Sequence, residues 1–413
     1  MRVTTAFKHL LALPGIVVTD VEFEPDRVVV RVKLRRRKLR CPYCEFTTAG
    51  RERLQQVDSR WRHLDLGRWR LEIVCQRRRL RCPEHGVLAE QVPFARPRSG
   101  FTRDFEQLVA YLATRMDQTS IDRMCRIAWR TVGKIIERVV ADELDPERLD
   151  ELFVIGVDEV SWRKRHKYLT LVTGHECGKV VWGGDGASHK TLDRFFEELG
   201  PERSSQIQAI SLDMGRAYPK SIAKEGHAPQ AILCWDPFHV VSLASQAVDE
   251  VRREHWRQLK HADPELAKQV KGLRWVLLKG EERLNPDQAS QLDQLRKSGS
   301  AMYRAQQHKE VLRSIFKDAA DVDEAEQLLD RFCSRAQRSR LPAFVKLART
   351  IRERKPGILA AIRLGLSNAR IEALNTTARL VIRRARGFHT AEAALALIML
   401  TCGPITLKLP HEM

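Results

Sequence analysis

Apolar and polar positions alternate in short runs along the first hundred residues, as in Val21-Glu22-Phe23-Glu24 and Arg27-Val28-Val29-Val30-Arg31-Val32, until Pro93 and Pro97 punctuate the segment. A period of two predicts strands. From Thr102 to about Val140 the period lengthens to nearly four. Phe105, Leu108, Val109, Leu112 and Met116 line one helical stripe, and Thr119-Ser120-Ile121-Asp122 reads as a capping box opening a second helix. A third helix carries Trp129, Val132, Ile136 and Val139 on one side, with Arg130, Lys134 and Arg138 recurring on another. That is the layout of a helix-turn-helix, whose last helix enters the major groove. Beyond Asp145-Pro146-Glu147 the runs shorten again. Phe153-Val154-Ile155-Gly156-Val157 is too short for a helix and rich in β-branched residues, so it predicts a strand buried on both faces and ending at Asp158 and Glu159.

A basic loop, Arg163-Lys164-Arg165-His166-Lys167, leads to two further predicted strands, Tyr168 to Thr173 and Gly178 to Gly183, which form a meander. Leu192 to Leu199 has helical spacing. Ile207 to Leu212 predicts a strand ending in Asp213, a helix-like stretch holds Tyr218, and Ala231 to Trp235 predicts a short strand before Asp236. Three strands, a helix, a strand, a helix and a strand is the order expected of an RNase H-like α/β sheet, where sites gather at strand ends. From Phe238 to about Leu366 the chain is charged and helical, with Trp256, Trp275, Phe316, Phe332 and Phe344 expected in the core of an α-helical insertion. A last helix, Asn368 to Arg383, sorts Ile371, Leu374, Ala378 and Val381 onto one face and Asn368, Glu372, Asn375, Arg379 and Arg383 onto another. The expected fold is α/β: an RNase H-like mixed sheet core with an α-helical insertion, preceded by a small zinc-binding β module and a helix-turn-helix domain. The expected boundaries are 1–98 for the zinc-binding module, 99–145 for the helix-turn-helix, 146–242 for the first part of the core, 243–362 for the insertion and 363–413 for the C-terminal helices of the core.

A chain of 413 residues is too long for one compact unit and has room for two or three domains. Its 72 Lys and Arg against 53 Asp and Glu give a net charge of +19, which attracts polyanions, nucleic acid first. No apolar run reaches the roughly 18 residues of a membrane span, and the N-terminus lacks a signal-peptide pattern, so no membrane partner and a cytoplasmic location are expected. Nine cysteines fit reduced thiols plus one metal site.

That metal site is readable from spacing. Cys41-Pro42-Tyr43-Cys44 and Cys82-Pro83-Glu84-His85 each place two ligands on a tight turn, and together they supply three thiolates and an imidazole for structural Zn²⁺. Cys75, inside Leu71-Glu72-Ile73-Val74-Cys75, is expected in the core. Basic runs, Arg35-Arg36-Arg37-Lys38-Leu39-Arg40 and Arg77-Arg78-Arg79-Leu80-Arg81, precede the two knuckles and suggest a phosphate-binding surface. A second chemistry needs three carboxylates on separate elements. Asp158, Asp213 and Glu372 fit it: such a set holds two Mg²⁺ ions about 4 Å apart for phosphodiester displacement. Hard cations prefer oxygen ligands, so zinc and magnesium select different residue sets. The structural alternative makes the first two acids loop starters and Glu372 a surface ion pair.

The order of these motifs resembles the DDE transposases of bacterial insertion sequences, specifically the ISL3 (ISL-three) family. The residues that carry the resemblance are Cys41 to Cys44, Gly156-Val157-Asp158-Glu159, Ser211-Leu212-Asp213-Met214 with Tyr218, Asp236-Pro237-Phe238-His239-Val240, Arg274-Trp275-Val276-Leu277-Leu278 and Glu372-Ala373-Leu374-Asn375, which leads to Arg383-Arg384-Ala385-Arg386-Gly387-Phe388. Carried over by position, the resemblance implies catalytic, metal-binding Asp158, Asp213 and Glu372 with two Mg²⁺ (or Mn²⁺). It also implies a nucleoid-associated bacterial protein that binds the terminal inverted repeats of its element, cuts at the ends and joins a 3′-hydroxyl to target DNA. Arg130, Lys134, Arg383, Arg384 and Arg386 are the expected DNA contacts, and a dimer or higher oligomer on DNA is expected because two ends must be paired. Two departures stand out: His85 replaces an expected Cys, and Pro237 replaces an expected Arg, which leaves Asp236 and His239 in structural or supporting roles. A non-enzymatic zinc and helix-turn-helix DNA-binding regulator, and a nuclease without strand joining, are the competing readings.

Overall fold

Period-two burial shapes the first part of the chain. Helix α1 (Val3–Leu11) is followed by β1 (Ile16–Phe23) and β2 (Arg27–Leu34), whose Val28, Val30 and Val32 share a core with Trp61, Ile73, Cys75 and Phe94. A small hairpin of β3 (Leu39–Arg40) and β4 (Thr47–Thr48) precedes the long strands β5 (Val57–Leu66) and β6 (Trp69–Arg77). A second small hairpin follows, β7 (Arg79–Cys82) with β8 (Gly86–Ala89). The large sheet runs β1-β2-β6-β5 and is antiparallel except between β2 and β6. Helix α1 was not expected. Its β-branched start imitates a strand, but Phe7 and Leu11, four residues apart, are buried on one side of a helix.

This computed structural model describes residues 2–50, 57–163, 167–215, 217–366 and 369–412. Lys164, Arg165 and His166 of the basic loop, and Asn368 of the last predicted helix, lie outside the described residues. The chain divides into two compact units, Met1–Asp145 with Leu380–Met413, and Pro146–Arg379.

The first unit continues with α2 (Arg103–Ala113), α3 (Gln118–Cys125) and α4 (Trp129–Glu143), which bury Phe105, Val109, Ile121, Val132, Ile136 and Val139 together. Helix α3 starts earlier than the sequence suggested. Asp117 caps it, accepting the Ser120 amide at 3.0 Å, and an ionised carboxylate is a stronger cap acceptor than a hydroxyl. Two residues leave their expected faces on α4. Trp129 is 42% exposed beneath the Arg130 guanidinium, and Arg138 turns onto the fully buried Glu106 at 2.6 Å.

The second unit opens with the meander β9 (Val154–Arg163), β10 (Lys167–Gly174) and β11 (Lys179–Asp185). Then come α5 (His189–Leu199), the short α6 (Pro201–Ser204), β12 (Ala209–Leu212), the short α7 (Pro219–Ile222) and β13 (Ile232–Trp235). The sheet order is β11-β10-β9-β12-β13, antiparallel through the meander and parallel from β9 to β13. Strand β9 does not end at Asp158 as predicted. The hairpin with β10 keeps it extended, pairing Asp158 with Leu171 and Glu159 with Thr170, whereas β12 on its other side stops at Leu212 opposite Val157.

Seven helices follow: α8 (Pro237–Leu259), α9 (Pro264–Gly272), α10 (Arg274–Leu278), α11 (Pro286–Lys297), α12 (Ala301–Asp318), α13 (Val322–Gln337) and α14 (Pro342–Arg363). Phe332 and Phe344 are core as expected, but Trp275 is 58% exposed under Arg274, so it is not. The buried Lys309 amine donates to the carbonyls of Leu277, Leu278 and Lys279 at 2.8, 3.1 and 2.7 Å, capping the end of α10. Helix α15 (Ala369–Arg384) contains the division between the units, and α16 (Ala391–Cys402) places Leu397 and Leu400 in the core that α4 helps form. No described helix is long and apolar enough to cross a membrane.

Candidate active site and metal centre

Strand register brings the first two acids together. Leu212 lies opposite Val157 on one side and Trp235 on the other, so the residues that follow, Asp213, Asp158 and Asp236, begin in one row across three parallel neighbours. Residues in register on parallel strands share a face, and neighbouring strands are about 4.8 Å apart. Val157, Leu212 and Trp235 occupy the hydrophobic core on one face, which sends the acids to the other. Asp236 is 5% exposed and caps α8, accepting the Phe238 amide at 3.0 Å, with His239 Nε2 at 3.8 Å from its other oxygen.

Helix α15 crosses the acid-bearing face. A Cβ on Gly156 would lie 3.1 Å from Ile371 Cγ1, closer still to its Cδ1, and 2.9 Å from Thr173 Oγ1, so only glycine admits the helix at this distance. One turn on, Asn375 donates its amide to Asp158 Oδ2, while the Glu159 backbone amide donates to Asp158 Oδ1 at 2.6 Å. Both Asp158 oxygens are thereby fixed. Burial pushes the Asp158 carboxyl above its ordinary value, and Asp213 adds to the rise; the Glu159 amide, His239 and Arg379 pull the other way. Burial raises Glu159 as well, against a 2.8 Å hydrogen bond from the Tyr218 hydroxyl, which sits 3.0 Å from Thr170 Oγ1. Burial disfavours the charged form of both carboxyls, and Asp213 adds to the effect at each.

Glu372 is not gathered with them. It is exposed, and among the described residues the three acids do not form a set with all ligand atoms within 4.8 Å of one another. It does stand on the stripe that carries Asn375 and Arg379, three and seven residues on, and both of those act on Asp158. Asn375, sorted from sequence onto a polar outer face, is 1% exposed, whereas Leu374 is only half-buried. The signal was present: at 100° per residue Asn375 lies closer to Ile371 than Leu374 does.

The four zinc candidates do converge. Cys41, Cys44, Cys82 and His85 present ligand atoms all within 4.8 Å of one another, from the turns of the two small hairpins. Cys44 and Cys82 sulfurs are 3.6 Å apart, and His85 Nδ1 is 3.6 Å from Cys82 and 3.8 Å from Cys41. With metal–sulfur bonds of about 2.3 Å, the edge of a tetrahedron is about 3.8 Å, so the donor set fits one ion. Cys75 is fully buried in the sheet core. The neighbouring basic runs are partly spent on structure: Arg78 pairs with Glu90 at 2.6 Å and reaches the Arg36 and Arg37 carbonyls at 3.1 and 3.2 Å. Arg130, Lys134, Arg383 and Arg386 are exposed, while Arg384 is half-buried and donates to the Ala113 carbonyl at 3.0 Å.

Comparison with known proteins settles the class. Residues 155–398, which span all three acids, match a family described as Transposase. Residues 90–140 match the helix-turn-helix domain of transposase family ISL3. The chain belongs to the ISL3 family of DDE transposases. It is 38% identical over 430 aligned positions to the transposase for insertion sequence element IS1557 of Mycobacterium tuberculosis, covering 97% of this chain and 96% of that one. It is also 28% identical to the transposase for IS1001 of Bordetella parapertussis, over 81% of this chain and 82% of the relative.

Proposed function

We propose that this transposase binds the terminal inverted repeats of its element and catalyses Mg²⁺-dependent cleavage and strand transfer, with Asp158, Asp213 and Glu372 as its catalytic carboxylates. The observation that supports this reading is the strand register, which pairs Val157 with Leu212 immediately before Asp158 and Asp213, beside a helix bearing Glu372. The sheet order, with its antiparallel meander and two further parallel strands, supports an RNase H-like core at 146–242, with the part of α15 up to Arg379 in the same unit and a helical insertion at 243–362 between them. The donors are oxygens throughout, which suits Mg²⁺ or Mn²⁺. Held by these carboxylates, two such ions would supply activation of the attacking water or 3′-hydroxyl and charge neutralisation at the departing 3′-oxygen. Asp158 and Asp213 hold their positions from the sheet. Glu372 stands three residues before Asn375, which already touches Asp158, and would complete the set on DNA.

Recognition belongs to the zinc-binding module, 1–98, and the helix-turn-helix, 99–145. Zn²⁺ on Cys41, Cys44, Cys82 and His85 joins two hairpins whose own cluster holds little beyond Leu39, Leu80, Phe46 and Leu88. Arg130 and Lys134 lie on the recognition helix, and Arg383, Arg384 and Arg386 contact backbone phosphates without reading sequence. Pairing two ends requires at least two copies of the chain.

The test is a plasmid assay with purified protein, Mg²⁺ and DNA carrying the element's ends. The parent cuts and joins, and Asp158→Asn binds the ends but loses cleavage by at least about 10³-fold, the scale of removing one essential group. Cleavage without joining would reduce the protein to a nuclease. Binding without cleavage by the parent would leave a DNA-binding regulator.

A further inference from the structure

We infer that Asn375 is the positioning residue of the carboxylate site: its amide nitrogen sets the orientation of Asp158, and its amide oxygen receives a hydrogen bond from a water in the shell of the bound divalent ion. The inference rests on the proposed role of the acids and adds a residue to it.

Three observations carry it. Asn375 is 1% exposed, so its amide has left water entirely. Its Nδ2 donates to Asp158 Oδ2, which makes it the one described side chain hydrogen-bonded to that carboxylate. Its Oδ1, buried as deeply, has no hydrogen-bond partner among the described residues. A buried amide with only one end satisfied is costly to keep, and such groups are commonly completed by water or an ion. The orientation of the amide follows from charge: a carboxylate only accepts, so nitrogen faces Asp158 and the oxygen is left over.

That oxygen is what a hydrated divalent cation requires. Mg²⁺ keeps several of its waters when it binds protein carboxylates, and those waters are polarised donors seeking acceptors. Asp158 already accepts from two N–H groups, so its remaining lone pairs go to metal, and Asn375 supplies the acceptor beside it. The packing of Ile371 on Gly156, one turn earlier, holds α15 at the distance this bond needs. The residue thus ties the metal's outer shell to the strand that carries the first acid.

The test uses the full-length, zinc-loaded protein and the metal alone. Mn²⁺ is titrated and free ion is followed by electron paramagnetic resonance, with end-DNA binding and cleavage measured in parallel, for the parent, Asn375→Ala, Asn375→Asp and Asp158→Asn. Asn375→Ala is expected to weaken Mn²⁺ binding about tenfold, since removing a group that orients a metal ligand typically costs about 10–100-fold. It should lower the cleavage rate at saturating DNA while leaving KM for DNA unchanged, and raised Mn²⁺ should recover part of the rate. Asn375→Asp keeps the volume and the acceptor but loses the donor, so it tests the bond to Asp158 in a side chain of the same shape; it should retain Mn²⁺ and lose cleavage. Parent-like Mn²⁺ affinity and cleavage in Asn375→Ala, with Asp158→Asn impaired, overturn this inference alone, as does parent-like cleavage in Asn375→Asp. Parent-like behaviour of Asp158→Asn overturns the assignment of the acids, and this inference falls with it.

Discussion

Replacing Gly156 by alanine tests the packing on which the carboxylate site depends. The added methyl would meet Ile371 within 3.1 Å at Cγ1 and closer at Cδ1, and Thr173 Oγ1 at 2.9 Å. Thr173 is 2% exposed and Ile371 3% exposed, so neither has free space to enter. Overpacking of this kind costs about 1–3 kcal/mol. Since each kcal/mol moves the melting temperature of a unit this size by about 2–4 °C, a fall of about 2–12 °C is expected. Truncating Ile371 to alanine alone costs about 2–5 kcal/mol through the cavity it leaves. Gly156→Ala combined with Ile371→Ala should cost less than the sum, because the new methyl then occupies space the isoleucine has vacated. A favourable coupling of about 1–3 kcal/mol is expected in the double-mutant cycle. Calorimetry on the zinc-loaded protein gives stability, and end-DNA cleavage reports whether Asn375 still reaches Asp158. Additive losses across the cycle would refute the close approach of α15 to β9.

Two further outcomes follow from the first unit. His63, 5% exposed and 2.8 Å from Thr102 Oγ1, is pushed down by burial to about 4, so it stays neutral in the folded protein while the unfolded chain takes up a proton below about 6.5. Stability is therefore full above pH 6.5 and declines by up to about 3 kcal/mol as pH falls towards 4, and the difference in melting temperature between the parent and His63→Gln, measured across that window, should shrink accordingly. Cys82→Ser should remove about one equivalent of zinc and expose the hairpin amides of residues 79–89 to hydrogen exchange while the amides of β9 and β12 stay protected; unchanged metal content would refute the ligand set.

The strands and helices were legible wherever one period governed a whole run. The Val residues of β2, the apolar stripe of α2 and the β-branched run of β9 each point to their core without help from the rest of the fold. The knuckles were legible for a different reason, since ligands three residues apart on a turn form a local signature. What failed was decided by partners distant in sequence. The extension of β9 past Asp158 depends on β10, the withdrawal of Arg138 depends on Glu106, and the burial of Asn375 depends on Asp158, 217 positions away. Helix periodicity gives angles about an axis but not which arc meets a neighbour, so a polar residue at the border of an apolar stripe can be read either way. Trp275 shows the same limit: its spacing suits a core, yet the short α10 leaves it outside.

The four-residue lengths of β12 and β13 have a consequence for how this chain can vary. Parity along an extended segment dictates which side of the sheet a side chain occupies, so inserting or deleting a single residue between Ala209 and Asp213 would turn the acid towards Val157 and Leu212 rather than away from them. Conservative exchanges of Ile210 or Leu212 preserve the count and are tolerable, whereas length changes are not. Divergent copies that keep their chemistry should therefore accumulate substitutions in this short stretch and reserve gaps for the turns on either side of it.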